Sequence, residues 1–270
     1  MDIENLKHQF ARIGAQLEVE FLTNQLRQRS DFWLDVRIHK QDELFILSVQ
    51  EKVRDSLELH VVDSRPEQRH LLLLSKNRTA AINDQKSKFL CGHDERHWFV
   101  AGVPSAGITT VREAFESLKP SAAITSQWQR QVKPKNRNKR HNAGFIRQGE
   151  WFFIPRLDFE VDNPVQILRN EPLQRGGGKA HVLEQAYRFG GAIVYVSFKY
   201  PNGLTQRNYN QLLQRNPSAR KIKWQIMQRD PTVYARGKVR HPDHKTIVLP
   251  FWHQVLLNSE VVSQEVAFLD

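Results

Sequence analysis

The sequence predicts an α+β protein with an N-terminal helix plus antiparallel meander, a basic connector, and a second, mostly antiparallel α+β domain. Apolar residues recur at spacings of three and four near the start of the chain, and the spacing changes to two from residue 34 onward. A parallel, doubly wound sheet would require strands and helices to alternate regularly along the chain. The strand and helix patterns of this sequence do not alternate in that way. These two observations favour antiparallel sheets with a few helices.

The first 120 residues are expected to form one domain. The stripe Ile3, Leu6, Phe10 and beyond predicts a long opening helix over about residues 3–27. Alternating apolar residues then predict three hairpins, whose turns lie in HKQDE, DSRPEQ and GHDER. The run GITTVREAFESLKP has a threonine before Val111 and Pro120 as a stop, which predicts a capped helix. We place the end of the domain there.

Residues 121–143 are predicted to be a basic connector, mobile or ordered by a partner, because they combine few apolar side chains with dense positive charge. Residues 144–270 form the predicted second domain. Its elements are two short strands joined through Gly149, a helix in KAHVLEQAYRF, a strand in GAIVYVSFKY, a threonine-capped helix in GLTQRNYNQLLQRNP and two final strands.

Cysteine content and hydropathy bear on the setting of the chain. A single cysteine excludes an internal disulfide, and the start MDIENLKHQF lacks the basic and apolar regions of a secretory signal. No apolar run approaches the roughly 20 residues that span a bilayer. We therefore expect a cytoplasmic protein that does not enter a membrane.

The net charge of +11 is concentrated in two segments. Residues 117–149 carry eight basic and no acidic side chains, and residues 201–245 carry ten basic and two acidic ones. Closely spaced cations without acids neutralise phosphates and release counterions, which favours sequence-independent binding of DNA or RNA. The predicted contact residues are Arg130, Lys133, Lys135, Arg137, Lys139, Arg140 and Arg147 in the first segment and Arg236, Lys238 and Arg240 in the second. A solvated linker and an ordinary solvated strand face are the alternative interpretations.

Histidines suggest a second kind of site. The run HPDHKTIVLPFWH brings together His241, Asp243, His244 and His253, and imidazole and carboxylate groups are ligands for Zn²⁺ or Mn²⁺. Because Pro242 separates the first two histidines, a turn is predicted there rather than one helical face. If the flanking strands pair as a hairpin, His253 lies far from that turn. His181, or the pair His93 and His97, could complete a metal site.

The segment CGHDERHWFV, residues 91–100, resembles an active site at first sight, since Cys91 lies two residues from His93. A cysteine nucleophile needs an oriented base and a lowered pKa, whereas a lone cysteine at the end of an apolar strand is usually buried. We predict the polar tip of a hairpin. The run RGGGKAHV, residues 175–182, is likewise interpreted as a turn, because it lacks the spacing of a phosphate-binding P-loop.

These observations lead to a nucleic-acid-binding protein as the first hypothesis, with phosphate contacts that are largely independent of sequence. A metal-dependent hydrolase or nuclease that uses a histidine cluster is the alternative. A third hypothesis is a non-catalytic subunit of a larger assembly, with an acidic protein partner. The sequence leaves open whether any reaction is catalysed, and the first hypothesis requires no cofactor.

Overall fold

The computed structural model describes residues 2–23, 31–39, 42–77, 85–104, 107–175 and 179–260, and it has the expected α+β fold. None of the helices in these ranges has the length and apolar content that crossing a bilayer would take. The glycine run at residues 176–178 lies outside the described residues.

The described residues of the first half form two α-helices and seven strands. They are α1 (Ile3–Arg12), β1 (Leu17–Leu22), β2 (Phe32–His39), β3 (Asp42–Gln50), β4 (Leu57–Arg65), β5 (His70–Asn77), β6 (Gln85–Asp94), β7 (His97–Gly102) and α2 (Val111–Ser117). The three predicted hairpins are confirmed, since β2 pairs with β3, β4 with β5, and β6 with β7. The capped helix is also confirmed, because the Thr110 hydroxyl accepts a hydrogen bond from the backbone N–H of Glu113 at 3.1 Å.

The opening helix is much shorter than predicted. It ends at Arg12, and Gly14 has a φ of +79°, a left-handed conformation that an α-helix cannot contain. The next residues form β1, which pairs parallel to β3 with Leu17 opposite Phe45. The alternation in LEVEFL is therefore that of a strand, and the prediction of a helix over 3–27 was wrong for residues 13–23. The last part of that prediction, residues 24–27, lies outside the described residues.

Two sheets and α1 enclose the main core of this half. The order of the first sheet is β1-β3-β2, and that of the second is β4-β5-β6-β7. Along β5, Leu71 and Leu73 face this core, while Leu72 faces a second apolar cluster under α2. The run HLLLL is thus buried on both faces of its sheet, as the two-residue period of a strand requires.

In the second half, the residues that the structure describes form two α-helices and ten strands. They are α3 (Ser121–Gln129), β8 (His141–Asn142), β9 (Phe145–Gln148), β10 (Trp151–Pro155), β11 (Leu168–Leu173), β12 (His181–Phe189), β13 (Ala192–Ser197), β14 (Tyr200–Thr205), α4 (Gln206–Arg215), β15 (Gln225–Arg229), β16 (Thr232–Arg240) and β17 (Ile247–Leu257). The large sheet is antiparallel with the order β11-β12-β16-β17-β10-β9-β8. The small sheet has the order β14-β13-β15.

The helix predicted in KAHVLEQAYRF is a strand in the structure. KAHVLEQAYRF was expected to be a helix, but most of it forms β12, which is paired on both sides, by β11 and by β16. Pairing and burial in the middle of a sheet override a weak helix propensity.

Residues 121–143 are also more ordered than expected. They contain α3 and β8, and the buried Gln127 accepts a hydrogen bond from the backbone N–H of Val132 and donates one to the carbonyl of Arg137. Ala123 of α3 packs against Phe145 and Phe152 of the large sheet. The division into domains at residues 120 and 143 stays a prediction.

Candidate functional site

Three histidines from distant parts of the sequence meet at one end of the large sheet. His181 begins β12, His241 follows β16, and His244 lies in the turn between β16 and β17. Because Val182 pairs with Arg240, the adjacent His181 and His241 are brought side by side. Their ring centroids lie 4.2 Å apart, and those of His241 and His244 lie 4.7 Å apart. One ring nitrogen from each histidine lies within 4.8 Å of the other two.

Burial keeps two histidines of this cluster, His181 and His244, uncharged at neutral pH. Burial is the main cause that lowers the pKa of His181 to about 3, and the charges of the other two histidines add to it. Burial and the charge of His241 likewise lower the pKa of His244 to about 4. A neutral imidazole retains a nitrogen lone pair, which is the form that a metal ion binds.

His181 carries the clearest sign of a missing partner. The side chain is fully buried, and neither ring nitrogen has a hydrogen-bond partner among the residues that the structure describes. Buried polar groups are normally hydrogen-bonded, because an unpaired one costs about 1–3 kcal/mol. His181 is therefore destabilising unless something binds its nitrogens.

Gly149 provides space beside two of the histidines. A Cβ atom at this position would lie 3.1 Å from Nε2 of His244 and 3.4 Å from Nε2 of His181. Gly149 lies in the turn between β9 and β10 with a φ of +57°, which favours glycine. Both Nε2 atoms thus face a point that any larger residue would occupy.

The outer nitrogens of the other two histidines have protein neighbours. Nδ1 of His244 lies 3.5 Å from Oε2 of Glu95, and the backbone N–H of Lys245 donates to the same oxygen at 3.0 Å. Nδ1 of His241 accepts from the backbone N–H of Asp243 at 3.1 Å, and Nε2 lies 3.3 Å from the carbonyl oxygen of Lys179. Binding of a metal by His241 would replace one of these two hydrogen bonds.

Asp243 and His253 do not join the cluster. Both carboxylate oxygens of Asp243 accept from the ammonium group of Lys179, at 2.8 and 2.9 Å. His253 lies within β17 opposite Ala235, and Nδ1 is 2.8 Å from the carbonyl of Phe251. The expected β16–β17 hairpin is confirmed, and it places His253 far along the second strand.

A cavity of about 500 Å³ is lined by residues from both halves of the chain and borders the cluster at His244. His244 and Gly149 line it from the second half, and Glu43 and His97 line it from the first. Its apolar wall consists of side chains from both halves, among them Trp98, Phe99, Phe115, Phe145 and Phe152.

The β6–β7 hairpin tip closes one side of this cavity. Arg140 forms ion pairs with Asp94 and with Glu95, the latter at 2.5 Å, and Arg147 pairs with Asp94 at 3.0 Å. The polar tip is thus docked on the second half rather than exposed to solvent. The predicted hairpin is correct, but its charged residues have partners in a distant part of the sequence.

In the segment CGHDERHWFV, the cysteine is buried and the two histidines are apart. Cys91 is fully buried, and burial raises the pKa of its thiol well above the ordinary value, so it is a core residue. His93 pairs with Trp98 and His97 pairs with Asp94, which places the two histidines on opposite faces of the hairpin. They do not form the two-histidine pair that the sequence suggested.

The ten predicted nucleic-acid contacts fall into distinct environments. Arg130, Lys133, Lys135, Lys139 and Lys238 are exposed. Arg137 lies over the ring of Trp128 at 4.2 Å, while Arg140 and Arg147 form the ion pairs just described. Arg236 and Arg240 donate to the side chains of Gln185 and Asn170. Four strand spacings, about 19 Å in all, separate β16 from β8 across the sheet.

Several residues at this site could not be predicted from local sequence patterns. Glu43 and Glu95 lie far from the histidines along the chain, and Gly149 was noted only as a turn residue. His181 was considered only as a completing ligand, because its position depends on the register between β12 and β16. No family model, curated protein sequence or solved structure matches this chain, so these residues and their geometry are the basis on which its function is inferred.

Proposed function

We propose that this protein is a metal-dependent hydrolase whose metal ion is bound by His181, His241 and His244. The observation that supports this best is the meeting of three largely buried imidazoles, of which His181 has two unpaired nitrogens among the described residues. Three protein ligands with a further open position are the usual arrangement of a catalytic zinc site. A structural role alone would leave the His181 nitrogens without partners.

The donor set favours Zn²⁺ over Mn²⁺, because imidazole nitrogens suit zinc while manganese prefers oxygen ligands. Zinc–nitrogen bonds of about 2.0–2.1 Å place the nitrogens of a tetrahedral site about 3.4 Å apart. The three nitrogens lie within 4.8 Å of one another, so metal binding would draw the most distant pair together by at most about 1.4 Å.

The cavity supports hydrolysis in addition to metal binding. His244 and Gly149 line it, so a water molecule on the metal could face a substrate there. A metal ion lowers the pKa of its bound water to about 7 and polarises the group under attack. A volume of about 500 Å³ is typical of sites for small molecules, and the aromatic wall would contact an apolar substituent. We propose a small ester, amide or phosphoester as substrate.

Metal analysis of the purified protein tests this proposal. We expect one zinc ion per chain after equilibration with excess zinc and removal of the unbound metal. The change His241→Leu combined with His244→Leu should abolish this binding. His253→Leu is the matched control, because His253 is also buried but lies outside the cluster. Absence of stoichiometric zinc in the wild type, or equal zinc affinity in the double variant, would contradict the proposal.

A second function, binding of DNA or RNA, is supported by the surface around α3. Trp128 has 64% of its surface exposed beside the guanidinium of Arg137, and the exposed cations Arg130, Lys133, Lys135 and Lys139 are near it in sequence. Exposed aromatic rings beside cations can stack on unpaired bases. Arg140 and Arg147 are not part of this proposed surface, since acidic side chains already bind them. A cytoplasmic location would fit both functions and stays a prediction.

The salt dependence of affinity tests the second function. If three lysines contact phosphates, replacing Lys133, Lys135 and Lys139 with glutamine should reduce the slope of log affinity against log salt by about 2–3 units. Replacing the exposed cations Lys7, Lys52 and Arg54 removes the same charge elsewhere and should leave the slope unchanged. Equal slopes in both variants, or no binding at low salt, would refute nucleic-acid binding by this surface.

A further inference from the structure

A carboxylate and a histidine from the first half line the same cavity as His244 of the proposed metal site. Glu43 lies near the start of β3, and His97 is the first residue of β7. Oε1 of Glu43 is hydrogen-bonded to Nδ1 of His97, and Oε2 accepts from the backbone N–H of Trp98 at 2.8 Å. One carboxylate thus fixes both the ring and the backbone at the start of β7.

The bond to Glu43 determines which nitrogen of His97 is available. A carboxylate only accepts, so Nδ1 of His97 carries the proton, and the neutral ring has its lone pair on Nε2. The side chain of His97 is 40% exposed and lines the cavity. Nε2 of His97 is therefore an oriented acceptor on the side of the cavity contributed by the first half.

The hairpin tip brings His97 close to the metal site. Glu95, two residues before His97, lies 3.5 Å from Nδ1 of His244 and accepts from the backbone of Lys245. Burial is the main cause of the lowered pKa of His244, and the charge of His97 is among the contributors. The titratable groups near His97 include Glu43 on β3, His93 and Asp94 on β6, and Asp243 and His244 in the turn between β16 and β17.

From this arrangement we infer that His97 is the proton acceptor for water bound at the three-histidine site, with Glu43 as its positioning residue. The inference rests on the proposed metal function. In this step an O–H bond of the metal-bound water breaks, and its proton passes to Nε2 of His97. The hydroxide that remains attacks the carbonyl or phosphoryl group of the substrate. His97 then returns the proton to the leaving group, so no external acid, base or oxidant is consumed.

A purely structural role for the pair would have different consequences. Glu43 joins β3 to β7, so Glu43→Gln or His97→Gln could reduce stability without affecting any reaction. The test therefore measures the deprotonation of the metal-bound water directly. Cobalt(II) replaces zinc in such sites, and the visible absorption of the bound ion changes when its water loses a proton. The pH midpoint of that change needs no substrate.

We expect wild-type protein, His97→Gln and Glu43→Gln to bind one cobalt ion each with similar affinity. In both variants the pH midpoint of the absorption change should move by at least about half a unit, which is about 0.7 kcal/mol. His93→Gln is the matched control, since His93 is in the same hairpin but faces away from His97. Its midpoint should equal that of the wild type.

Two outcomes would overturn the inference in distinguishable ways. If cobalt binds stoichiometrically but neither variant moves the midpoint, His97 does not contact the metal-bound water, while the metal site itself stands. If the wild type binds no cobalt or zinc, the metal proposal fails and the role of His97 fails with it. A shift in His93→Gln as large as that in His97→Gln would show a general effect of the hairpin and would also overturn the inference.

Discussion

Replacement of His181 by leucine should stabilise the metal-free protein, which is unusual for a change at a fully buried position. His181 has one donor and one acceptor nitrogen, and both lack hydrogen-bond partners among the described residues. Each unpaired group costs about 1–3 kcal/mol, and leucine of similar size removes both. After allowance for the lost stacking on His241, at 4.2 Å, we expect a gain of about 2 kcal/mol in the free energy of unfolding.

Zinc should reverse this order. A ligand that binds only the folded state at a free concentration of 1,000 times its Kd adds about 4.1 kcal/mol to stability. The wild type receives this contribution, and His181→Leu, which lacks one of three ligands, does not. The wild type should therefore become about 2 kcal/mol more stable than the variant in zinc.

Equilibrium urea denaturation, followed by circular dichroism in chelator and in a zinc buffer, measures both differences. The reversal of sign distinguishes a ligand from an ordinary core residue, which loses stability in both conditions. If His181→Leu destabilises the chelated protein, the reasoning from unpaired nitrogens is refuted. If zinc stabilises both proteins equally, His181 is not a ligand.

Three further predictions concern residues near the cavity and the hairpin. Gly149→Ala should weaken zinc binding at least about tenfold in a competition assay, because the new Cβ would lie 3.1 Å from Nε2 of His244. Gly190→Ala is the control for backbone strain in the same assay, since Gly190 has a similar φ of +68° and a Cβ there would meet no atom within 4 Å. Gly92→Ala should lower the free energy of unfolding by about 2–3 kcal/mol, since its Cβ would lie 2.1 Å from Cδ2 of His70. In a double-mutant cycle, Gly92→Ala should cost much less stability when His70 is also replaced by alanine. Burial lowers the pKa of His70 from 6.5 to about 4, so the unfolded chain is protonated first as the pH falls. His181 and His244 also have lowered pKa values and add their own losses, so the prediction concerns a difference between two proteins. Between pH 6.5 and 4, wild-type stability in urea denaturation should fall by about 3 kcal/mol more than that of His70→Phe. A wild-type pH dependence identical to that of His70→Phe would contradict the last of these.

Local patterns predicted the hairpins well because alternation of apolar residues specifies a strand whose faces are buried differently. The same reasoning failed at Leu17 and Val19, where a two-residue period followed a helix closely enough to resemble its continuation. The left-handed conformation of Gly14 separates the two elements, and nothing in the local apolar spacing reveals it. KAHVLEQAYRF failed for another reason, since its strand conformation depends on partners in β11 and β16.

Only some residues of the candidate site could be predicted from local sequence patterns. His241 and His244 were recognised because they lie three residues apart, but His181 joins them through the register between two strands. Glu43 and His97 are 54 residues apart, and only the packing of β3 against β7 makes them partners. Charge density suggested that Arg140 and Arg147 bind phosphates, whereas the fold supplies them with Asp94 and Glu95 from the first half.

The position of β17 has a consequence for biosynthesis. This strand is the last one in the described part of the chain, yet it lies near the middle of the large sheet, between β16 and β10. Trp151 pairs with Leu257, so β10 leaves the ribosome about a hundred residues before its neighbour exists. Until then β10 and β16 each present an unpaired edge, which is the feature that draws strands of other molecules into aggregates. Premature termination before Ile247 should therefore produce insoluble protein rather than a smaller folded fragment.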